Sequence, residues 1–388
     1  MITNLSLTNF RSYADRQIEL DPRITVVVGP NATGKTNLLE AVYVLATTRS
    51  FRAKDPELIH HGEGFFRLVA TTGDGELALA FQQNESGREK RAQLDGSKQT
   101  LVQHLAHLQT VLFEPNDLQL ILGSPDRRRR YLDFILAQTN PQYLSTMHRY
   151  RRVLQQRNRL LSDWRGETSE LFAWNVKLSE LAADIDAQRQ QLVNFINSVA
   201  EEIYASIAGS KEQLSLAYRS SINASGTKDH TDHTDDDTNS AAQNFESLFL
   251  QQLESNIHRD IGAGFTTIGP HRDDFEITFK NSMVTAVASR GEMRTIVLVL
   301  KLAEITYIED KNQQPPILLL DDVFSELDQT RRTFLIKTLD KYQSIITTTD
   351  ADMARQLGSS HVIETAPETT PKGTDKPTTS LKNNRKAT

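Results

Sequence analysis

Gly29-Pro30-Asn31-Ala32-Thr33-Gly34-Lys35-Thr36 fits the pattern G-x-x-x-x-G-K-[ST], and its flanks give the pattern physical meaning. Upstream, the apolar run Ile24 to Val28 reads as a strand. Downstream, Asn37-Leu38-Leu39-Glu40-Ala41-Val42-Tyr43-Val44-Leu45 reads as a helix. Strand, glycine-rich loop and helix in that order make a phosphate cradle, because loop N–H groups and the helix N-terminus both turn positive charge toward phosphate oxygens. Lys35 is then placed for the β- and γ-phosphates of a nucleotide and the Thr36 hydroxyl for Mg2+. Residues Gly29 to Thr36, with Asn37, form the expected nucleotide-binding set. A chance glycine–lysine loop would lack both flanks.

Far along the chain, Ile317-Leu318-Leu319-Leu320-Asp321-Asp322 is an apolar strand that ends in two carboxylates. A P-loop fold presents a carboxylate to its metal in this way. Asp321 is expected to hold the metal with Thr36, and Asp322 to act as base or to orient water, so that Lys35, Asp321 and Asp322 are the expected catalytic residues. Alone, the run would be an ordinary strand followed by an acidic turn. Between the two motifs lies Ser289-Arg290-Gly291-Glu292, ahead of the apolar run Thr295 to Ile308. Ser and Gly at the mouth of a helix would suit a phosphate. The β-branched Thr295-Ile296-Val297 also reads as a strand, and periodicity does not decide between the two.

The 388 residues allow two or three domains and a large core. With no cysteine there is no disulfide, thiolate nucleophile or Cys-based zinc site. No signal peptide is expected, because the start of the chain has neither a basic n-region nor a long apolar h-region. No apolar run approaches the ~20 residues of a membrane helix, and the expected location is the cytoplasm. The net charge of −6 is unevenly spread: Arg127, Arg128, Arg129 and Arg130 are consecutive, and Arg149, Arg151, Arg152, Arg157, Arg159 and Arg165 follow. Such a run is often just a solvated helix face, but it can also hide a basic surface.

Residues 1–125 read as strands around the loop and its helix, with hairpins at Gly73-Asp74-Gly75 and Asp95-Gly96. Residues 126–262 read as a short all-helical arm broken at Asn140-Pro141. Its stretch from Glu170 to Ile207 lacks Pro and Gly and is either one amphipathic helix or a helical hairpin. A strand-like Leu214 to Tyr218 and a flexible insertion at 221–242 interrupt the arm. Asp229-His230 and Asp232-His233 in that insertion read as solvated loop rather than metal ligands. Residues 263–365 return to the α/β part, and 366–388 read as a disordered tail. The fold class is therefore α/β, a P-loop NTPase head whose mixed sheet has an antiparallel subdomain, with a helical arm inserted.

The order of phosphate loop, Ser-x-Gly, hhhhDD and Ser325-Glu326-Leu327-Asp328 resembles the ATP-binding cassette head shared by transporters and SMC-type chromosome proteins. The resemblance narrows to the RecF family of bacterial recombination and gap-repair proteins. It is carried by Asn9-Phe10-Arg11-Ser12-Tyr13, Arg49-Ser50-Phe51-Arg52, Ser124 to Asp133, Gly269-Pro270-His271-Arg272-Asp273-Asp274, Lys301-Leu302-Ala303-Glu304 and Leu319 to Asp328, together with the phosphate loop. These stretches occur in family order from residue 1 to about 350.

The resemblance implies that two heads sandwich ATP. Ser289 and Gly291 would then touch the γ-phosphate held by a second subunit, and Asp328 would line the same interface. It also implies a weak, DNA-stimulated ATPase that forms a homodimer on DNA and acts with RecR and RecO to help RecA load and to support the SOS response. Arg127 to Arg130 would contact the phosphate backbone without reading bases. Departures from the family pattern are Ala32, where glycine is usual, and Arg290-Gly291-Glu292 in the signature. No lid glutamine is evident near Phe113-Glu114-Pro115, and Thr347-Thr348-Thr349-Asp350 stands where transporters carry a switch histidine, so the γ-phosphate sensor stays open. The rival readings are a transporter ATPase subunit, which the length of the helical insertion disfavours, and a metal-dependent nuclease built on Asp273 and Asp274.

Overall fold

The computed structural model describes residues 1–85, 87–164, 169–222, 238–358 and 361–365. Arg165, the two His-Asp pairs of the insertion, its residues 223–237 and the tail from 366 lie outside the described residues.

Five strands form an all-parallel sheet in the order His361–Glu364, Ile24–Val28, Ser344–Thr348, Ile317–Asp321, Thr110–Phe113. Near-continuous apolar runs such as Ile317-Leu318-Leu319-Leu320 suit a sheet covered on both faces. Alternate residues feed two cores. Val26, Leu318, Leu320 and Ile346 join a core shared with the helices Pro125–Thr139, Pro141–Ser162, Ser169–Ala208 and Arg290–Asn312. Val27, Ile317, Leu319 and Ile345 join another, shared with the helix Lys35–Thr47 and a second sheet.

That second sheet has six antiparallel strands, in the order Tyr13–Glu19, Ile2–Phe10, Phe65–Thr72, Gly75–Asn84, Gly87–Leu94, Ser97–Gln99. Both expected hairpins are present. Thr72 pairs with Gly75 and Leu94 with Ser97. Asp95 and Gly96 have φ of 47° and 74°, as a two-residue turn matched to strand twist requires. The mixed pairing read from the sequence thus resolves into one parallel sheet and separate antiparallel sheets, the six-stranded one here and a three-stranded one at the arm.

Ser169–Ala208 is a single helix of 40 residues, about 60 Å at 1.5 Å per residue, which settles the choice between helix and hairpin. The arm is not wholly helical. Leu214–Arg219 pairs antiparallel with Asp274–Phe279 across the expected border at 262. The cause is burial: Leu214 and Leu216 share a core with Phe275, Ile277 and Phe279. Arm and head are therefore joined by a sheet as well as by a common core.

The segment left open between strand and helix is the helix Arg290–Asn312. Ser289 caps it, accepting from the Glu292 N–H while the Glu292 carboxylate accepts from the Ser289 N–H. This capping box starts the helix, and burial of Thr295 to Ile305 between sheet and arm overrides their β propensity.

Candidate nucleotide-binding site

In a parallel sheet every strand delivers its C-terminal end to the same edge, where such folds bind ligands. Here that edge receives Gly29 after Ile24–Val28, Asp322 after Ile317–Asp321, Glu114 after Thr110–Phe113 and Thr365 after His361–Glu364. The Thr36 hydroxyl donates to Asp321 Oδ1 at 2.9 Å, and the Thr347 hydroxyl donates to the same oxygen at 2.6 Å. This is a set of hard oxygen donors, the kind Mg2+ takes. Of the four residues left open as γ-phosphate sensor, Thr347 is thus the one bonded to Asp321. Asp350 instead caps the helix Ala351–Gln356 through the Asp352 N–H.

Lys35 is buried, and its ammonium donates to the carbonyls of Gly29 at 2.8 Å and Pro30 at 2.7 Å. Burial lowers its pKa, opposed by the charges of Asp322 and Asp321. Burial and the neighbouring Asp321 raise the pKa of Asp322, opposed by Lys35. Asp322 adopts a left-handed φ of 49°, and its N–H is bonded to the Thr347 carbonyl and hydroxyl.

Two loop residues have positive φ, Ala32 at 64° and Gly34 at 91°. For Ala32 this conformation costs about 1 kcal/mol relative to glycine. At Gly34 a Cβ would also meet Ser12 Oγ at 2.9 Å and Tyr13 Oη at 3.0 Å. The stretch Arg11-Ser12-Tyr13 therefore braces the loop: Tyr13 donates to the Gly34 carbonyl and Ser12 accepts from Asn37.

Behind the loop, Glu40 is fully buried on the helix Lys35–Thr47. Arg11 grips it with two hydrogen bonds of 2.8 and 2.9 Å, and Arg52 and Ser50 also donate to it. Burial alone would raise the Glu40 pKa, but the bonds from Arg11, Arg52 and Ser50 outweigh it and hold the carboxyl below its ordinary value. Arg52 also donates to the Asn37 side chain. Two family-typical stretches thus converge on one carboxylate. Sequence reading quoted them but gave them no role, because their partner Glu40 looks like an ordinary helix residue.

The signature side has a different character. Ser289 is exposed and Gly291 half-buried at the start of the helix Arg290–Asn312. A Cβ on Gly291 would meet the Arg331 guanidinium at 3.6 Å and Ser289 Oγ at 4.0 Å, both ordinary contacts. Arg331 pairs with Asp328 and donates to Thr295 at 2.7 Å, so Asp328 stands beside the signature. Among the described residues no hydrogen bond joins Ser289, Gly291 or Asp328 to Lys35, Thr36, Asp321 or Asp322. The chain brings the expected site residues together as two separate groups.

The four arginines divide as well. Arg128 binds Asp274 through two bonds of 2.7 and 2.8 Å, and Arg129 donates to the Asp273 carbonyl. Only Arg127 and Arg130 are exposed. Helical spacing is the reason, since it turns the middle of a four-residue run inward against the turn Gly269 to Asp274. That turn is structural. Asp273 is buried and accepts from the Tyr218 hydroxyl and the Ser221 N–H. His271 Nδ1 is 2.7 Å from the Tyr150 hydroxyl, and burial pushes its pKa down to about 4. No group of three or more His, Asp or Glu side chains that could hold a metal ion is found among the described residues, and the carboxylates of the nuclease reading are engaged, Asp273 by Tyr218 and Ser221 and Asp274 by Arg128.

The family model described as the RecF/RecN/SMC N terminal domain matches residues 1–370. The chain belongs to this family. It is 35% identical over 356 residues to the DNA replication and repair protein RecF of Bacillus cytotoxicus, covering 90% of this chain and 92% of that one. The protein of the same description from Ruminiclostridium cellulolyticum is 34% identical over 361 residues, covering 91% and 93%. A solved structure of the recombination mediator protein RecF-ATP in the RecFOR pathway superposes with a TM-score of 0.80 at 29% identity, over 90% of this chain and 92% of that one.

Proposed function

We propose that this protein is an ATP-driven DNA clamp of replication and recombinational repair. It binds ATP with Mg2+, closes head to head with a second copy on gapped or stalled-fork DNA, and hydrolyses slowly to let go. One observation carries this reading. The phosphate-loop group is bonded inward around Asp321, whereas Ser289 and Asp328 present polar groups to the outside. Relatives named for DNA replication and repair, and the ATP-bound RecF neighbour, support the rest.

Lys35 exchanges its loop carbonyls for phosphate oxygens when nucleotide enters. Held by Thr36 and Asp321, Mg2+ would neutralise charge on the phosphates. Asp322 accepts the proton of the attacking water or orients it. Ser289 and Gly291 of one copy meet the γ-phosphate on the other, so loss of that phosphate opens the dimer. RecR, RecO and RecA are the partners in this reading, SOS induction is its downstream effect and the cytoplasm is its location. No described helix is long and apolar enough to cross a membrane.

The basic surface for DNA shifts away from Arg128 and Arg129. Arg149, Arg151 and Arg152 are exposed on the helix Pro141–Ser162, and Arg49 is exposed at the end of the phosphate-loop helix. Arg49, Arg151 and Arg152 lie close enough to add to burial in lowering the pKa of His148. This strip, with Arg127 and Arg130, would contact phosphates.

The test is a titration of duplex, single-stranded and gapped DNA with and without ATP across salt. ATP should tighten binding, and each phosphate contact removed from duplex should lower the log–log salt slope by about 0.9. Affinity unchanged by ATP on every substrate would refute the clamp.

A further inference from the structure

We propose that Lys301 is a positioning residue that ties the metal-side segment at Glu114 to the signature helix, so that ATP at the phosphate loop sets the attitude of Ser289 and Gly291 in the same chain. The inference rests on the two-headed sandwich read above and assigns its internal linkage.

Lys301 lies mid-way along the helix Arg290–Asn312, whose first turn carries the signature. It is a buried cation facing carboxylates from two directions. Its ammonium is 3.3 Å from Glu304 Oε2 on its own helix and 3.8 Å from Asp117 Oδ1. Asp117 belongs to the segment that leaves the strand Thr110–Phe113, and its Oδ2 accepts from the Glu114 N–H at 2.8 Å. Glu114 in turn stands abreast of the metal-side Asp321, because Phe113 pairs with Leu320 in the parallel ladder. The path from metal side to signature helix is therefore Asp321, Glu114, Asp117, Lys301: the first two follow a ladder pair, a hydrogen bond from the Glu114 backbone N–H joins the second and third, and an ion pair joins the last two.

The cluster has more acid than one lysine balances. Glu304 Oε1 is buried with no hydrogen-bond partner. Burial and the charge of Asp117 raise the pKa of Glu114 to about 7, and burial raises that of Glu304 to about 7. Lys301 also lies 5.7 Å from the centre of the Tyr131 ring, on the helix Pro125–Thr139 that bears the four arginines. A buried ion pair of this kind is weak evidence for stability alone, because desolvation offsets its attraction. Its value here is in fixing the register of three elements. A shift of Glu114 as nucleotide fills the site moves Asp117, and the signature helix follows through Lys301.

The experiment measures two quantities on the full chain: ATP affinity at protein concentrations where wild type is monomeric, and the concentration at which ATP drives dimerisation by sedimentation velocity. Asp117→Asn is the main variant, since its carbonyl can still accept from the Glu114 N–H while the charge for Lys301 is gone. Lys301→Met is the second and Lys301→Arg the conservative control. We expect Asp117→Asn and Lys301→Met to keep ATP affinity within about threefold while the dimerisation midpoint rises at least tenfold, and Lys301→Arg to recover most of the difference. Variants that dimerise at wild-type concentrations overturn the linkage and leave the sandwich intact. Parallel loss of ATP affinity also overturns it, since that marks a general structural role. A wild type that never dimerises with ATP overturns the sandwich itself, and with it the linkage.

Discussion

The phosphate-loop side of this head and its signature side are built in opposite ways. On the first, Thr36, Thr347 and Asp321 share hydrogen bonds, Lys35 is buried against its own loop, and Glu40 behind it is gripped by two arginines. On the second, the polar groups are exposed and bonded mainly to close neighbours: Ser289 with Glu292, and Asp328 with Arg331. The first is a preorganised site. The second is an exposed helix cap that, among the described residues, makes no hydrogen bond to the phosphate-loop group. In the proposed clamp, this difference would let one copy bind nucleotide and would require a second copy to use it.

Substitutions on each side should separate these roles, and the largest effect belongs to the inward side. If Asp322 is the base or water-orienting group, Asp322→Asn should slow single-turnover hydrolysis by about 100-fold or more, while ATP-dependent dimers persist. Dimers lost together with turnover would show that Asp322 serves closure. On the outward side, Ser289→Asp keeps an N-cap acceptor for the Glu292 N–H but loses the hydroxyl bond to the Glu292 carboxylate, so the thermal unfolding midpoint should fall only slightly. Its negative charge opposes a partner's γ-phosphate, so dimerisation by ATP should weaken at least tenfold (about 1.4 kcal/mol). Nucleotide affinity of the monomer should stay as it is.

The two halves were not equally legible in the sequence. The phosphate loop and the Asp-Asp strand could be read because their chemistry is local: a few adjacent residues carry the whole pattern. The hairpins could be read for the same reason, from Gly73-Asp74 and Asp95-Gly96. What stayed hidden depends on partners distant in the chain. Glu40 gains meaning only from Arg11 and Arg52, and Thr347 only from Asp321. Arg128 and Arg129 read as DNA contacts until the turn at Asp273 and Asp274 claims them. The run Thr295 to Leu300 read equally as strand or helix because burial on most sides erases periodicity, and the Ser289 capping box decided it.

A smaller effect contrasts the arm with the site. Burial and the nearby charge of Asp273 raise the pKa of Asp186 to about 7, and one of its oxygens has no hydrogen-bond partner. Because the folded state holds this proton where the unfolded state has released it, stability falls as pH rises from about 4 toward about 7. Asp186→Asn should flatten that decline in Tm. The buried Glu40 has the opposite sign: its lowered pKa gives stability that is present at neutral pH and lost as acid protonates it. The smallest change is Ala32→Gly, which relieves a left-handed φ of 64°. It should alter ATP affinity by no more than about fivefold, the equivalent of about 1 kcal/mol. A larger change would mean that the alanine methyl itself shapes the nucleotide fit.

The central claim is that nucleotide bound on one side recruits the other side from a second copy. Sedimentation velocity of the wild type and of Lys35→Ala, each with and without ATP and Mg2+, tests it most directly. The account predicts a dimer only for the wild type with ATP, and monomers in the other three samples. A wild type that stays monomeric with saturating ATP, with or without DNA, would contradict it.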